Sequence, residues 1–316
     1  MRQSNTGEIA PWVKEEMATA QLEDRRLNER LSKLLSDLGE RPAASIPAAC
    51  GGHKEMTAAY RFFDNPNVGP SKILEPHQAA TRVRMAAQLV VLLIQDTTEA
   101  NMTRPHQQVA GAGPLDGGAR RGAFMHAMEA FTPDGTPLGA VGVEFWTRQD
   151  QAQERSIQEK TRQRKNRPIE QKESFRWLQG LRTAREIAQE LPQTQFVCIA
   201  DSDADIYDLF AEPRGQRPVD WLIRAYRNRS VEAQADATES RLRERVLAEP
   251  VLFTQQITVR ERVPKTSCET RKRRVARKRR TAEVQVRAAS VTLHSPKRSL
   301  PAVTLNVVLV LLPPIS

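Results

Sequence analysis

The sequence predicts an α/β protein in three parts: a helical segment, a mixed sheet with helices packed on it, and a β-rich segment. Three observations support this. Leucines recur at helical spacing near the start, two apolar runs in the middle each end in an aspartate, and strand-like alternation returns after residue 230. The expected domains are residues 1–70, 71–232 and 233–316.

The first part is predicted to be helical because six leucines share one face of a helix, with Gly39 after them as a stop. These are Leu22, Leu27, Leu31, Leu34, Leu35 and Leu38. A second helix is expected over Lys54–Phe63, because Asn65-Pro66-Asn67 ends the pattern.

The middle part is predicted to be a sheet, because its apolar runs are short enough to be buried strands. A Pro- and Gly-containing turn at 132–137 joins two of them as a hairpin. The expected strands are Leu89–Asp96, Ala123–Phe131, Leu138–Trp146, Phe196–Asp201 and Trp221–Ile223, with a helix over Phe175–Leu191 before the fourth.

The last part is predicted to begin with a helix over Val231–Glu249 and to continue as strands. The expected strands are Gln255–Val259, Glu283–Arg287, Val291–Leu293 and Val303–Leu312. We expect the end of this part, Leu300–Ser316, to be poorly stable by itself, because an unfinished sheet leaves an exposed edge.

The composition argues against a membrane protein, a secreted protein and a zinc-binding or disulfide-rich protein. The chain has 39% hydrophobic residues, no apolar stretch of the ~18 residues typical of a membrane span, and no signal-peptide pattern, so a cytoplasmic location is expected. Its three cysteines and five histidines are scattered, which makes a zinc site or a disulfide framework improbable.

Positive charge is concentrated in one segment. The formal net charge is +10, and residues 260–287 contain twelve Lys or Arg against three acids, a net of +9. Such density indicates a polyanionic partner, most often nucleic acid. Its densest stretch is predicted to be a loop tip that contacts phosphates, with a simple solvated loop as the alternative. The residues concerned are Arg271, Lys272, Arg273, Arg274, Arg277, Lys278, Arg279 and Arg280.

Asp96 and Asp201 are the strongest candidates for chemistry, because each follows an apolar run. On neighbouring strands they would bring two carboxylates to one cation, and Mg²⁺ prefers hard oxygen ligands. The ordinary alternative is that they are helix caps or loop residues. Asp203 and Asp205 are expected to be acids in the first turn of the next helix. A calcium loop is excluded because Ile206 stands where that loop needs glycine.

Five segments, in order, resemble the DDE transposases of the Tn-five type, within the IS-four-like superfamily. They are Leu22–Leu31, Ala59–Val68, Asp96–Thr98, Gly122–His126, and Asp201–Ile206 ahead of Trp221–Arg224. The resemblance implies a ribonuclease-H-like catalytic core, a helical DNA-binding domain before it, and a β-rich insertion after it that is incomplete here.

The resemblance also implies a function and roles for residues. It implies cut-and-paste DNA transposition, with Mg²⁺ (or Mn²⁺) at Asp96 and Asp201 and phosphate contact by Arg224, for which a solvated strand-end charge is an equal alternative. It also implies a bacterial, nucleoid-associated protein that works on double-stranded transposon ends. Similar enzymes work there as DNA-bridged dimers, through contacts largely in the C-terminal region that the truncation would remove. We also expect DNA contacts from the N-terminal part, although pairing with Asp24 or Glu29 is an equal alternative for its arginines. The residues expected to make these contacts are Arg25, Arg26, Arg30, Lys54 and Arg61.

The third acid of such enzymes lies in a Tyr-x2-Arg-x3-Glu-x6-Lys signature. Tyr226 and Arg229 begin that pattern, but Ala233 and Ser240 stand where Glu and Lys are required. The sequence therefore predicts a C-terminally truncated transposase. The alternative is a catalytically inactive DNA-binding remnant, or an inhibitor of a full-length copy.

Overall fold

The computed structural model describes residues 9–104, 106–116, 119–150, 167–216, 219–232, 240–262, 276–296 and 300–312. The chain divides into two compact units. The first comprises Met1–Ala204 and Arg214–Arg224, and the second comprises Asp205–Pro213 and Ala225–Ser316. Within the described residues, no helix combines the length and the apolar character needed to cross a membrane.

The first unit begins with five helices, which confirm the predicted helical start. Asp24 caps the second of them, because its carboxylate accepts a hydrogen bond from the Arg26 N–H at 2.8 Å. Leu22, Leu31 and Phe62 form a buried cluster between helices. The helices are α1 (Pro11–Glu16), α2 (Arg25–Glu40), α3 (Ile46–Ala49), α4 (His53–Phe63) and α5 (Pro70–Ala86).

A six-stranded mixed sheet completes the first unit. β3 pairs with β1 on one side and with β2 and β4 on the other, all antiparallel, whereas β1, β5 and β6 run parallel to one another in that order. The strands are β1 (Val90–Asn101), β2 (Gly113–Pro114), β3 (Arg121–Phe131), β4 (Pro137–Trp146), β5 (Gln195–Ala200) and β6 (Asp220–Ile223).

The predicted hairpin is confirmed. β3 and β4 are joined by a turn in which Gly135 has a φ of 92°, a conformation that glycine adopts without strain. The predicted first strand is too short, because β1 continues for five residues past Asp96. Those residues pair with the first half of β3, from Thr97 opposite His126 to Asn101 opposite Gly122. These five residues are mostly polar, so the search for apolar runs in the sequence did not detect this part of the strand.

Helix α6 (Phe175–Glu190) packs against the sheet, as α5 does at β4, where Arg84 Nε donates to the Leu138 carbonyl at 2.6 Å. The buried face of α6 includes Leu178 and Leu181, as the leucine spacing predicts, together with Trp177 and Ile187. Gly180 allows a close approach to β1, since a Cβ atom there would lie 2.1 Å from Gln95 Oε1. The contact shows that α6 covers the face of β1 to which Gln95 belongs.

Within the described residues, the second unit contains a five-stranded antiparallel sheet and two short helices. Tyr207, Val231, Leu242, Val291 and Leu293 form its buried cluster. Strand β10 pairs with β11 along one side and with β9 and β7 along the other, and β8 pairs with β7. The elements are α7 (Tyr207–Phe210), β7 (Ser230–Val231), β8 (Ser240–Arg241), α8 (Leu242–Leu247), β9 (Phe253–Val259), β10 (Arg280–Leu293) and β11 (Val303–Leu311).

Two predictions for the second unit are wrong. Among the described residues of the helix expected over Val231–Glu249, only α8 is helical, and Val231 is instead buried in the sheet opposite Leu293 of β10. The two strands expected within 283–293 are one strand. The small residues Ala288 and Ala289 interrupt the hydrophobic alternation but pair with β11 like their neighbours.

Candidate metal site and nucleic-acid contacts

The two candidate acids are adjacent in the first unit. The parallel pairing of β1 with β5 ends with Gln95 opposite Ala200, and the next residues along the two strands are Asp96 and Asp201. In a parallel pair, residues that follow the same rung face the same side of the sheet. Both aspartates are exposed. Two carboxylates therefore stand side by side where the parallel ladder ends.

Local backbone groups orient both carboxylates. Asp96 Oδ1 accepts a hydrogen bond from the Thr97 N–H at 2.8 Å, and Asp201 Oδ1 accepts one from the Asp203 N–H, also at 2.8 Å. Each carboxylate keeps oxygen lone pairs free for a further partner. The acids are thus held in place with capacity to bind a ligand.

Asp203 adds a third negative charge nearby. It lies in a 3-10 turn, Ser202–Ala204, directly after Asp201. Partial burial raises the pKa of Asp203, and the neighbouring charges of Asp201 and Asp96 raise it further. The charges of Asp201 and Asp96 therefore act on Asp203, although these three carboxyl groups are not arranged to hold a metal ion together.

Arg224 lies beside the acids, immediately after β6. Its Nη2 donates a hydrogen bond to Ser202 Oγ at 3.2 Å and lies 3.8 Å from Asp201 Oδ2. The side chain is 72% exposed. A guanidinium that is mostly solvated and only loosely paired retains donors for an anionic ligand.

A buried polar network lies next to the acids, and sequence reasoning missed it. His126 on β3 contacts Thr97 Oγ1 through Nδ1 at 2.9 Å and Gln95 Oε1 through Nε2 at 3.3 Å. Burial lowers the pKa of His126, so the ring is neutral at pH 7. Trp177 of α6 packs edge-on against it at 4.7 Å between ring centroids. In the sequence, the polar Gln95 inside an apolar run was the feature that could have indicated a buried polar contact here.

Asp205, in the second unit, does not have the predicted role. Instead of lying in the first turn of a helix, it is buried and accepts hydrogen bonds at 2.8 Å from the N–H groups of Tyr226 and Arg227. Arg229 Nε donates to its Oδ1 at 3.1 Å. Burial by itself raises the pKa of Asp205, but these hydrogen bonds together outweigh burial and lower it. Asp205 is therefore an ionised structural anchor.

The predicted N-terminal contacts have two different environments. Arg25 pairs with Glu29 at 2.8 Å, Arg26 with Asp24 at 3.1 Å, and Arg30 with Glu55 at 2.6 Å. The first two pairs are exposed, and exposed pairs contribute little to stability, so these arginines remain accessible to a competing phosphate. Lys54 and Arg61 are exposed and make no ion pair within the described residues.

Only part of the predicted basic loop is described. Arg271, Lys272, Arg273 and Arg274 lie outside the described residues. In the other part, Arg277 forms an isolated bridge with Arg262 and donates to the Arg260 carbonyl at 2.8 Å. Three further basic residues follow at exposed positions, leading into β10. They are Lys278, Arg279 and Arg280.

The carboxylates at the end of the parallel ladder supply some, but not all, of the ligands that a hard divalent cation needs. Asp96 and Asp201 offer carboxylate oxygens, the ligand type that Mg²⁺ prefers. Across the described ranges, no group of three or more His, Cys, Asp or Glu side chains has an arrangement that could hold a metal ion. Two carboxylates alone would leave most positions around a cation to water or to substrate oxygens.

Comparison with known families identifies the N-terminal segment. Residues 9–68 match the family model described as transposase DNA-binding. The match spans α1 to α4 and the buried cluster around Phe62. The match supports the prediction that the protein is a transposase and that DNA is its partner.

Proposed function

We propose that this chain is a DDE transposase of the Tn-five type. Its N-terminal helices bind transposon-end DNA, and its mixed sheet is a ribonuclease-H-like core for strand cleavage. The observation that carries the proposal is the placement of Asp96 and Asp201, side by side where the parallel pairing of β1 and β5 ends. The match of residues 9–68 to the transposase DNA-binding family supplies the substrate class.

In this proposal, Asp96 and Asp201 hold Mg²⁺ or Mn²⁺ through oxygens that the backbone contacts leave free. When bound there, such an ion supplies polarisation of a phosphate and activation of water for in-line attack. Arg224 binds a nonbridging phosphate oxygen with the donors left over from its contact to Ser202. The neutral His126 keeps β1 in register below Asp96 through its contacts to Gln95 and Thr97.

A cleavage assay tests this function. We expect the full chain, with Mg²⁺ or Mn²⁺, to nick duplex DNA carrying the transposon end, and Asp96→Asn to abolish nicking while leaving DNA binding unchanged. Asp220→Asn is the matched control, since Asp220 is an exposed acid of the same sheet at the start of β6. Nicking that survives in Asp96→Asn, or that is lost equally in the control, would refute the proposed role of the acid pair.

A second candidate function is DNA binding without catalysis, as an inhibitor of an active copy. One observation favours it: the described residues bring only two well-placed carboxylates and no third ligand to the site. Binding of end DNA without nicking in either metal would support this function. It would also leave the assignment of the N-terminal domain intact, because that assignment does not depend on the acids.

A further inference from the structure

A polar cluster at α5, here called the His77 joint, connects the N-terminal helices to the mixed sheet. It consists of Glu16 at the end of α1, His77, Thr81 and Arg84 of α5, and the segment Leu138–Ala140 of β4. The Glu16 side chain is 15% exposed, and Thr81 is fully buried. Polar groups withdrawn from water in this way need fixed partners, so the cluster is a specific contact. The function proposed above does not use these residues.

His77 links the helix to the strand through both ring nitrogens. Its Nδ1 contacts Glu16 Oε2 at 2.6 Å, and its Nε2 accepts a hydrogen bond from the Ala140 N–H at 2.8 Å. Because Nε2 acts as an acceptor, it carries no proton, and Nδ1 is left to donate to the carboxylate. The imidazole therefore ties the last residue of α1 to the backbone of β4.

Arg84 makes a second link beside the first. Its Nη1 pairs with Glu16 Oε1 at 2.9 Å, and its Nε donates to the Leu138 carbonyl at 2.6 Å. Its Nη2 donates to Thr81 Oγ1 at 3.1 Å, and Thr81 Oγ1 in turn donates to the His77 carbonyl at 2.8 Å. Both oxygens of Glu16 are thus held, and each of the two side chains that hold them also binds the strand.

The strand is shaped to receive the helix at this point. Gly139 has a φ of 135°, and a Cβ atom there would clash with Thr81 Oγ1. The pairing of β4 with β3 also shifts in register on both sides of Leu138–Ala140. Such irregularities bend a strand and leave backbone groups for other partners. The backbone of β4 therefore supplies one acceptor and one donor to the joint.

The two ends of the joint belong to the two parts of the proposed machinery. Glu16 lies within residues 9–68, the segment that matches the transposase DNA-binding family. Ala140 lies on β4, which pairs with β3, and β3 pairs with β1, the strand of Asp96. Short directional contacts thus join the family-matched helices to the sheet that carries the acids.

We propose that the His77 joint positions bound DNA for cleavage, by fixing the orientation of α1–α4 relative to the mixed sheet. His77 and Glu16 are positioning residues, because they act through the elements they connect. A misplacement of reacting groups by about 1 Å can cost on the order of 10²-fold in rate, so a loose joint impairs cleavage more than binding. This inference rests on the proposed function and adds the contact that couples DNA binding to cleavage.

Binding and nicking of end DNA by the full chain separate positioning from binding. His77→Phe keeps a ring but removes both nitrogens, so we expect unchanged affinity in anisotropy titrations, nicking slower by about 10- to 100-fold, and cuts at neighbouring phosphates. His77→Gln keeps a donor and an acceptor and should recover most of the rate. His294→Phe, the same change at an exposed histidine directly after β10, should alter neither quantity.

A distance between spin labels tests the orientation without DNA or catalysis. Labels are attached through Glu40→Cys in α2 and Thr98→Cys in β1, both exposed positions, in a chain that also carries Cys268→Ser. The other two cysteines are buried, and burial protects them from labelling. We expect a single narrow distance distribution by double electron–electron resonance with the native joint and with His77→Gln, and a broader one with His77→Phe.

Two results would overturn the inference. One is the same distance distribution with His77→Phe as with the native joint, and the other is a broadened distribution with an unchanged nicking rate and cut position. Glu16→Gln removes the charge that both links share and should act in the same direction, which keeps the test decisive if His77→Phe does not fold. If the wild-type chain does not nick end DNA, the proposed function falls, and the distance measurement still decides whether the joint fixes the orientation.

Discussion

Asp205 and Arg229 provide the sharpest test of what stabilises the second unit. Their side chains are only 3% and 12% exposed, so neither charge is well solvated. We predict that Asp205→Ala lowers the free energy of unfolding of this unit by about 3–5 kcal/mol, the cost typical of breaking a buried ion pair by removing one partner. The substitution leaves the Arg229 guanidinium without its carboxylate.

The contacts of Asp205 explain why the loss should be large. Besides Arg229, the N–H groups of Tyr226 and Arg227 lose their acceptor, and each uncompensated buried donor costs about 1–3 kcal/mol. These contributions overlap, because the loop can open to water once the carboxylate is gone. The expected loss in free energy of unfolding therefore stays within the range for the broken pair and is smaller than the sum of the separate values.

Hydrogen exchange measured by mass spectrometry is the suitable assay, because it reports each unit separately. We expect faster exchange over residues 205–213 and 225–293 in Asp205→Ala, and unchanged exchange over α2 and α4. Arg227→Ala is the control, since it keeps the backbone N–H that Asp205 binds but removes an exposed side chain. Equal exchange in wild type and Asp205→Ala would refute the anchor role.

A double-mutant cycle and pH add two checks on the same pair. If the pair acts as a unit, Asp205→Ala with Arg229→Ala should cost clearly less than the sum of the single changes. The folded-state pKa of Asp205 lies below its ordinary value of 3.8. Its stabilising contribution is therefore complete above that value and is lost as the pH falls through the folded pKa. Asp205→Asn should remove this acid-sensitive part.

Two further predictions concern the basic segment and the close approach of α6 to β1. Neutralising Arg271–Arg274 to glutamine should weaken DNA binding and flatten its salt dependence, and an unchanged slope in anisotropy titrations would count against phosphate contact. Gly180→Ala places a Cβ 2.1 Å from Gln95 Oε1, so it should lower stability by about 1–3 kcal/mol in urea unfolding. A urea unfolding curve identical to that of wild type would contradict the tight packing.

The positions of the candidate acids were predictable because their signal is local. Each follows an apolar run long enough to be a buried strand, and such strands place the residue after them at the edge of a sheet. The parallel pairing of β1 with β5 is compatible with the long connection between them, which ends in α6. Arg224, in contrast, was indicated by the family resemblance, and it lies directly after β6.

The missed features depend on partners far away in sequence. The extension of β1 beyond Asp96 is stabilised by β3, and the polar side chains there give no hydrophobic pattern. The environment of Gln95 depends on His126 from another strand and on the absence of a side chain at Gly180. Gln95 inside an apolar run indicates that a polar contact is needed there, but local spacing does not identify His126 as the partner.

Asp201 and Asp205 show why residue type and spacing are not enough to assign function. They are four residues apart after the same strand, yet Asp201 is exposed beside Asp96, whereas Asp205 is buried against Arg229. The exposed carboxylate contributes little to folding, so its substitution should impair only chemistry. Substitution of the buried one should impair folding of its unit first. A loss of activity in an Asp205 variant would therefore not identify a metal ligand, whereas the same loss in a stably folded Asp96 or Asp201 variant would.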